Sequence, residues 1–277
     1  MNASEKRLEA MTPFLPEVVK RTLADLEAKK AKEPLVELEK KLSSFAQKSP
    51  GALLSKFLGK EPDTKLICEI KRASPSRGIL SDRLDVRELA QVYEGAGAFA
   101  LSVLTQPLGF HGSLRDLEVA RQAFGGPILR KDFVFDIYQL YETALAGADL
   151  VLLIVRILSK DKLEELVSAS RSLGLLPLVE LHSEEDSGKV SGLEGPLLLG
   201  LNARDLASLT IDHERVEALL REPLGSYPVV IESGIDQREQ VLAYKRHARV
   251  CAFLVGEGIL KSSDPAGKIR ELTGGKT

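Results

Sequence analysis

From residue 65 onward, short apolar runs recur, each of strand length and each followed by a polar or glycine-bearing turn and a helical stretch. Eight can be counted: LICEI (66–70), ALSVL (100–104), PILRK (127–131), DLVLLI (149–154), PLVEL (177–181), LLLGL (197–201), PVVIE (228–232) and CAFLV (251–255). Their centres lie 20 to 34 residues apart, room for one strand, one helix and two connections. Most are apolar on both faces, the pattern of parallel strands held between an interior of side chains and an outer ring of helices. Eight successive βα units over about 210 residues predict an α/β fold, a (β/α)8 TIM barrel, which runs to about 250 residues with its extras. An open doubly wound sheet rarely uses eight equal units, and no G-x-G-x-x-G follows the first strand.

Residues 1–62 read differently: rich in Lys, Glu, Leu and Ala, without a β-branched run, apolar at helical spacing. They predict an N-terminal helical extension packed on a barrel of residues 63–277, the whole forming one structural domain. Pro34 suits the start of a second helix, and Ser49-Pro50-Gly51 breaks the pattern again. The weakest crossover is HSEEDSGKVSGLEGP, between the fifth and sixth strands, because its three glycines lower helix propensity.

Composition narrows the function. The 277 residues are 44% hydrophobic and 28% charged, with 38 Lys and Arg against 40 Asp and Glu. Charges are interspersed, so the basic footprint of a nucleic-acid binder is missing. No run reaches the roughly 20 apolar residues of a membrane helix, and MNASEKRLEA is too polar for a signal peptide. Cys68 and Cys251 stand far apart in apolar runs with no metal-ligand spacing. The expectation is a cytoplasmic, small-molecule enzyme, a monomer or weak homo-oligomer, with no partner of nucleic acid or membrane.

A barrel carries its active site at the carboxyl ends of its strands. Polar residues interrupt the apolar runs there: Glu69 and Lys71 on the first strand, Lys131 on the third, Glu180 on the fifth, Asn202 and Arg204 after the sixth, Glu232 on the seventh. Glu69 and Lys71 are two residues apart and share a face. A charge facing the interior must be paired or functional, since desolvating an ion costs several kcal/mol. Taken singly, each charged residue is more often a solvated loop residue or part of an ion pair; six of them on one rim form a candidate site. Arg130 faces the other way, toward an outer helix, Asp132 is a candidate cap for the next helix, and none of the four histidines is assigned a role. Ser233-Gly234 after the seventh strand and Gly256-Glu257-Gly258 after the eighth offer unobstructed N–H groups where this fold usually holds phosphate. Acid and base chemistry on a phosphorylated substrate follows, with no cofactor or metal called for.

These blocks resemble the indole-3-glycerol phosphate synthase family. CEIKRASPSRG (68–78) is similar to its E-x-K-x-x-S-P-S-x-G signature, and SVLTQPLGFHGSLRDL (102–117), PILRKDFVFDIYQL (127–140), ADLVLLIVRIL (148–158), PLVELH, GLNARDL, IESGI and LVGEGIL follow in the family's order. The resemblance implies the closure of 1-(2-carboxyphenylamino)-1-deoxyribulose 5-phosphate to indole-3-glycerol phosphate, with loss of carbon dioxide and water. It implies Lys131 as the acid at the ketone, with Lys71 on the anthranilate carboxylate and able to share that role. Glu180 and Glu69 supply the further acid and base, and Asn202 orients Glu180 or a substrate hydroxyl. Glu232 and Arg204 complete the rim, with Ser74, Ser233, Gly234, Gly256 and the N–H of Glu257 near substrate or phosphate. If Lys71 and Lys131 converge, the pKa of one should fall.

The chain departs from the family pattern at Ala203, where a second Asn is usual, at Gly258, where Ser is frequent, and along residues 188–195. Two other readings fit the same rim. An aldolase would use Lys131 or Lys71 as a Schiff-base nucleophile, and a binding or scaffold barrel would keep the ligand site without the chemistry.

Overall fold

The computed structural model describes residues 14–45, 48–75, 78–80, 84–205 and 208–275. Eight parallel strands close into a barrel: β1 (Leu66–Ile70), β2 (Ala100–Leu104), β3 (Ile128–Lys131), β4 (Leu150–Ile154), β5 (Leu176–Leu181), β6 (Leu198–Asn202), β7 (Val229–Glu232) and β8 (Val250–Val255). Each coincides with one of the eight apolar runs to within about a residue. Alternation along the strands sorts them into two cores. Leu66, Cys68 and Ile70 of β1 face the helices, while Ile67, Leu129, Leu178 and Val230 fill the interior.

Among the described residues three helices precede the barrel: α1 (Phe14–Lys32), α2 (Leu35–Leu42) and α3 (Pro50–Leu58). Pro34 stands at the N-cap of α2. The Ser49-Pro50-Gly51 break is also a start, for Ser49 accepts a hydrogen bond from the Ala52 N–H and Pro50 opens α3. Phe57 of α3 is buried at the amino end of the barrel, where its ring meets Phe99 edge-on at 4.9 Å between centroids. α1 crosses the opposite end.

The outer ring contains α4 (Val86–Gly95), α5 (Leu114–Ala123), α6 (Ile137–Leu145), α7 (Lys160–Ser172), α8 (Glu184–Val190), α9 (His213–Arg221), α10 (Arg238–Tyr244), α11 (Glu257–Leu260) and α12 (Pro265–Thr273). Side-chain N-caps at Asp85, Ser113, Asp136, Ser159 and Asp212 start most of them where the sequence has a turn. The weak crossover is short but formed, closed at its start by a Ser183–Asp186 capping box. No helix among the described residues is long and apolar enough to cross a membrane.

Register determines which inward residues share a level. From β1 to β3 the pairing runs Glu69, Ser102, Leu129, so Lys131 lies two residues further along. The same offset of two residues leads from Lys131 to Glu180, from Glu180 to Glu232, and from Glu232 back to Glu69. Four steps of two residues close the ring, the shear of a (β/α)8 barrel, whose interior stacks layers of four side chains from alternate strands. Glu69, Lys131, Glu180 and Glu232 therefore make one layer. Below them lies the layer Ser102, Leu152, Gly200 and Leu254, and above them Leu104, Ile154, Asn202 and Gly256.

Candidate active site

The charged layer is the last closed one before the mouth. Glu69, Glu180 and Glu232 are buried, and Lys131 is nearly so. Lys131 Nζ donates to Glu232 Oε2 at 2.6 Å and lies 3.5 Å from Glu180 Oε2. Lys71, one pleat above Glu69 on the same face, donates to Glu69 Oε1 at 2.5 Å. His182, fully buried and two residues beyond Glu180, brings Nε2 within 2.6 Å of Glu180 Oε1, and its Nδ1 faces the Arg204 carbonyl at 3.3 Å.

Three carboxylates around one ammonium set the protonation pattern. Burial disfavours the Lys131 charge, but Glu232, Glu180 and Glu69 outweigh it and hold the ammonium above the ordinary lysine range. Burial pushes Glu69 and Glu180 up, yet Lys71 and Lys131 hold Glu69 below its usual value, and Lys131 and His182 do the same for Glu180. Glu232 goes the other way: burial and the neighbouring Glu180 carboxylate push it up to about 8 against the pull of Lys131. The expected fall in a lysine pKa is thus reversed at Lys131, because carboxylates rather than a second ammonium are its nearest charges.

A cavity above this layer has two chemically different sides. On one, Phe14 and Leu15 of α1, Leu104, Phe110, Phe133, Leu152 and Ile154 surround Lys131, Glu180, Glu69, Lys71, Ser74 and Asn202. On the other, Arg204, Ser233, Gly234, Gly256, Glu257 and Gly258 line an adjoining polar pocket with His213 and Lys261. Glu69 and Lys71 border both. Ser233 and Gly234 are consecutive residues at φ 66° and 73°, a left-handed pair that a Cβ tolerates poorly at the second position. Arg204 donates to Glu257 at 2.9 Å.

Eleven of the twelve predicted site residues thus line this mouth, and Glu232 lies beneath it, reached through Lys131. Three details are corrected. Asp132 does not cap the next helix; Asp136 does, and Asp132 instead accepts from Thr105, Gln106 and Arg130. Gln106 also donates to Thr22 at 3.1 Å, which ties α1 to the Asp132 end of β3. Asn202 accepts the Arg204 N–H at 3.0 Å within the loop after β6, the substrate hydroxyl staying its other expected partner, and the side chain hydrogen-bonded to Glu180 is that of His182. The pleat carried that signal, since residues 180 and 182 share a face. Arg130, as expected, turns outward to the Gln139 carbonyl and Thr143 on α6.

The likenesses to known proteins agree with this geometry. The family model described as indole-3-glycerol phosphate synthase matches residues 15–272. The indole-3-glycerol phosphate synthase of Mycobacteroides abscessus is 40% identical over 242 residues, 87% of this chain and 88% of the relative. That of Desulfosudis oleivorans is 38% identical over 262 residues, 95% and 99% of the two chains. Among solved structures, tryptophan synthase subunit alpha from Legionella pneumophila superposes with a TM-score of 0.58 at 14% identity, covering 83% of this chain and 98% of that one. The 3-hexulose-6-phosphate synthase from Salmonella typhimurium gives 0.57 at 17%, covering 76% and 97%. At these identities the structural likeness is one of fold. The length of the family match and the identity of the curated relatives carry more: the chain belongs to the indole-3-glycerol phosphate synthase family.

Proposed function

We propose that this chain is an indole-3-glycerol phosphate synthase, a carboxy-lyase that closes 1-(2-carboxyphenylamino)-1-deoxyribulose 5-phosphate to indole-3-glycerol phosphate, releasing carbon dioxide and water, by lysine and glutamate acid–base catalysis. The observation that carries the residue roles is the single layer of Glu69, Lys131, Glu180 and Glu232 beneath a two-sided cavity. Its apolar side suits the anthranilate ring, and its polar side, with Ser233, Gly234, Gly256 and Glu257 flanked by Arg204 and Lys261, suits the phosphate.

Lys131 protonates the ketone oxygen as the ring carbon attacks. Lys71 holds the anthranilate carboxylate until it leaves. Glu180, kept ionised by Lys131 and His182, takes up the ring-side proton during dehydration, and the Glu69–Lys71 pair serves the departing hydroxyl. A positioned acid or base contributes on the order of 10²- to 10⁴-fold. α1 shields the reaction from water through Phe14 and Leu15. The two free thiols suit a reducing cytoplasm, and an isolated or weakly associating chain is enough for a site built from one chain.

Purified protein incubated with the substrate should form fluorescent indole-3-glycerol phosphate and carbon dioxide in equal amounts; no product would reject the reading. Borohydride should trap no lysine adduct, which separates this chemistry from a Schiff-base aldolase.

A further inference from the structure

Glu180 and Glu232 each keep one buried oxygen, Oε2 and Oε1 respectively, to which no N–H or O–H among the described residues donates a hydrogen bond. The two side chains converge on one ammonium: Lys131 Nζ lies 2.6 Å from Glu232 Oε2 and 3.5 Å from Glu180 Oε2. The remaining oxygens are engaged: Oε1 of Glu180 by His182, Oε2 of Glu232 by Lys131. Gly200 of β6, the register partner of Glu180, leaves the space that Glu232 Oε1 occupies, since a Cβ there would overlap that oxygen. Two buried carboxylates beside a single ammonium repel each other, and a proton shared between them lowers that repulsion and satisfies acceptors that otherwise have no hydrogen bond.

We propose that Glu180 and Glu232 share one proton in the resting protein, and that this pair recharges Lys131 during turnover. The proton rests on Glu232 and is donated to Glu180; the raised Glu232 pKa, about 8, agrees with that siting. The role in turnover rests on the function proposed above. When Lys131 gives a proton to the ketone oxygen, its neutral amine, 3.5 Å from the Glu180 Oε2 that shares the proton, takes that proton and leaves two carboxylates. Glu180 then removes the ring-side C–H proton, and the pair again holds one. The departing hydroxyl takes a second proton, supplied from solvent through the Glu69–Lys71 side. Overall one proton is consumed, as loss of a carboxylate as carbon dioxide requires.

The charged and titratable groups nearest this pair are Lys131 on β3, His182 just after β5, and the Glu69–Lys71 pair at β1, while the Arg204 guanidinium turns away to Glu257. With Glu232 protonated in the folded chain and ionised in the unfolded one, the contribution of this group to stability declines as pH rises from the ordinary carboxylate range to about 8, then levels. Turnover should also fall as pH passes that value.

Infrared spectroscopy of the substrate-free protein tests the shared proton without reference to activity. A protonated carboxyl band is expected at neutral pH, disappearing with a midpoint near 8, absent in Glu232→Gln and shifted to lower pH in Glu180→Gln, where the repelling charge is gone. Glu232→Gln should also lose the alkaline fall in turnover, with kcat reduced about tenfold or more. No protonated carboxyl at neutral pH in the unmodified protein, or a band with the same midpoint in both variants, would overturn the proposal.

Discussion

At the amino end of the barrel, α3 presses Phe57 against the interior, with Leu53 and Leu54 beside it, over Ile67, Ala100 and Leu150. At the carboxyl end alternate strands carry Glu69, Lys131, Glu180 and Glu232, and α1 crosses above them with Phe14 and Leu15. Both ends are plugged by a helix of the N-terminal extension, but the plugs meet different surfaces. The lower one buries apolar side chains on apolar side chains and needs no compensation. The upper one covers ions that must compensate one another, and it leaves a cavity between itself and them. Stability is concentrated where the layers are uniform, and chemistry where one layer holds four ionisable groups.

Substitutions that separate stability from turnover would sharpen or break this contrast. Glu180→Gln should cut indole-3-glycerol phosphate formation by about two orders of magnitude or more, with carbon dioxide release less affected, because the failure comes after ring closure; rapid product formation by this variant would contradict the base assignment. Phe57→Ala should cost about 3–5 kcal/mol of stability in chemical denaturation, while kcat of the folded fraction stays within about twofold. A large loss of kcat at full folding would mean that the amino-end plug reaches the chemistry. Gly234→Ala should be milder, since it strains one left-handed residue by about 1–2 kcal/mol. Its expected effect is a raised KM for the phosphorylated substrate with kcat little changed, as steady-state kinetics would resolve.

The fold was legible because most strands are apolar on both faces and each is separated from the next by a helix-length stretch. The rim residues were legible for a related reason: Glu69, Lys131, Glu180 and Glu232 interrupt those runs at their carboxyl ends. Their union in one layer was not, because it depends on the two-residue stagger between alternate strands, a property of the closed barrel and not of any single segment. His182 was not legible as a partner of Glu180 because it stands one residue past the end of β5, where ladder pairing no longer enforces the alternation that puts it on the same face. The reversed shift at Lys131 has the same origin: nearness in the layer, not spacing along the chain, decides that carboxylates surround it. Asp132 looked like a cap because it precedes a helix, yet Asp136 stands closer to that helix and takes the Tyr138 N–H.

The claim that one charged layer carries the reaction is tested most directly by the turnover of Lys131→Ala, measured by product fluorescence on protein whose circular dichroism matches the unsubstituted chain. Removing the cation should lower kcat by at least about two orders of magnitude, with the barrel intact and its carboxyls taking up protons in place of the lost charge. Near-normal turnover from the folded variant would remove Lys131 from the mechanism and the layer from the centre of the chemistry.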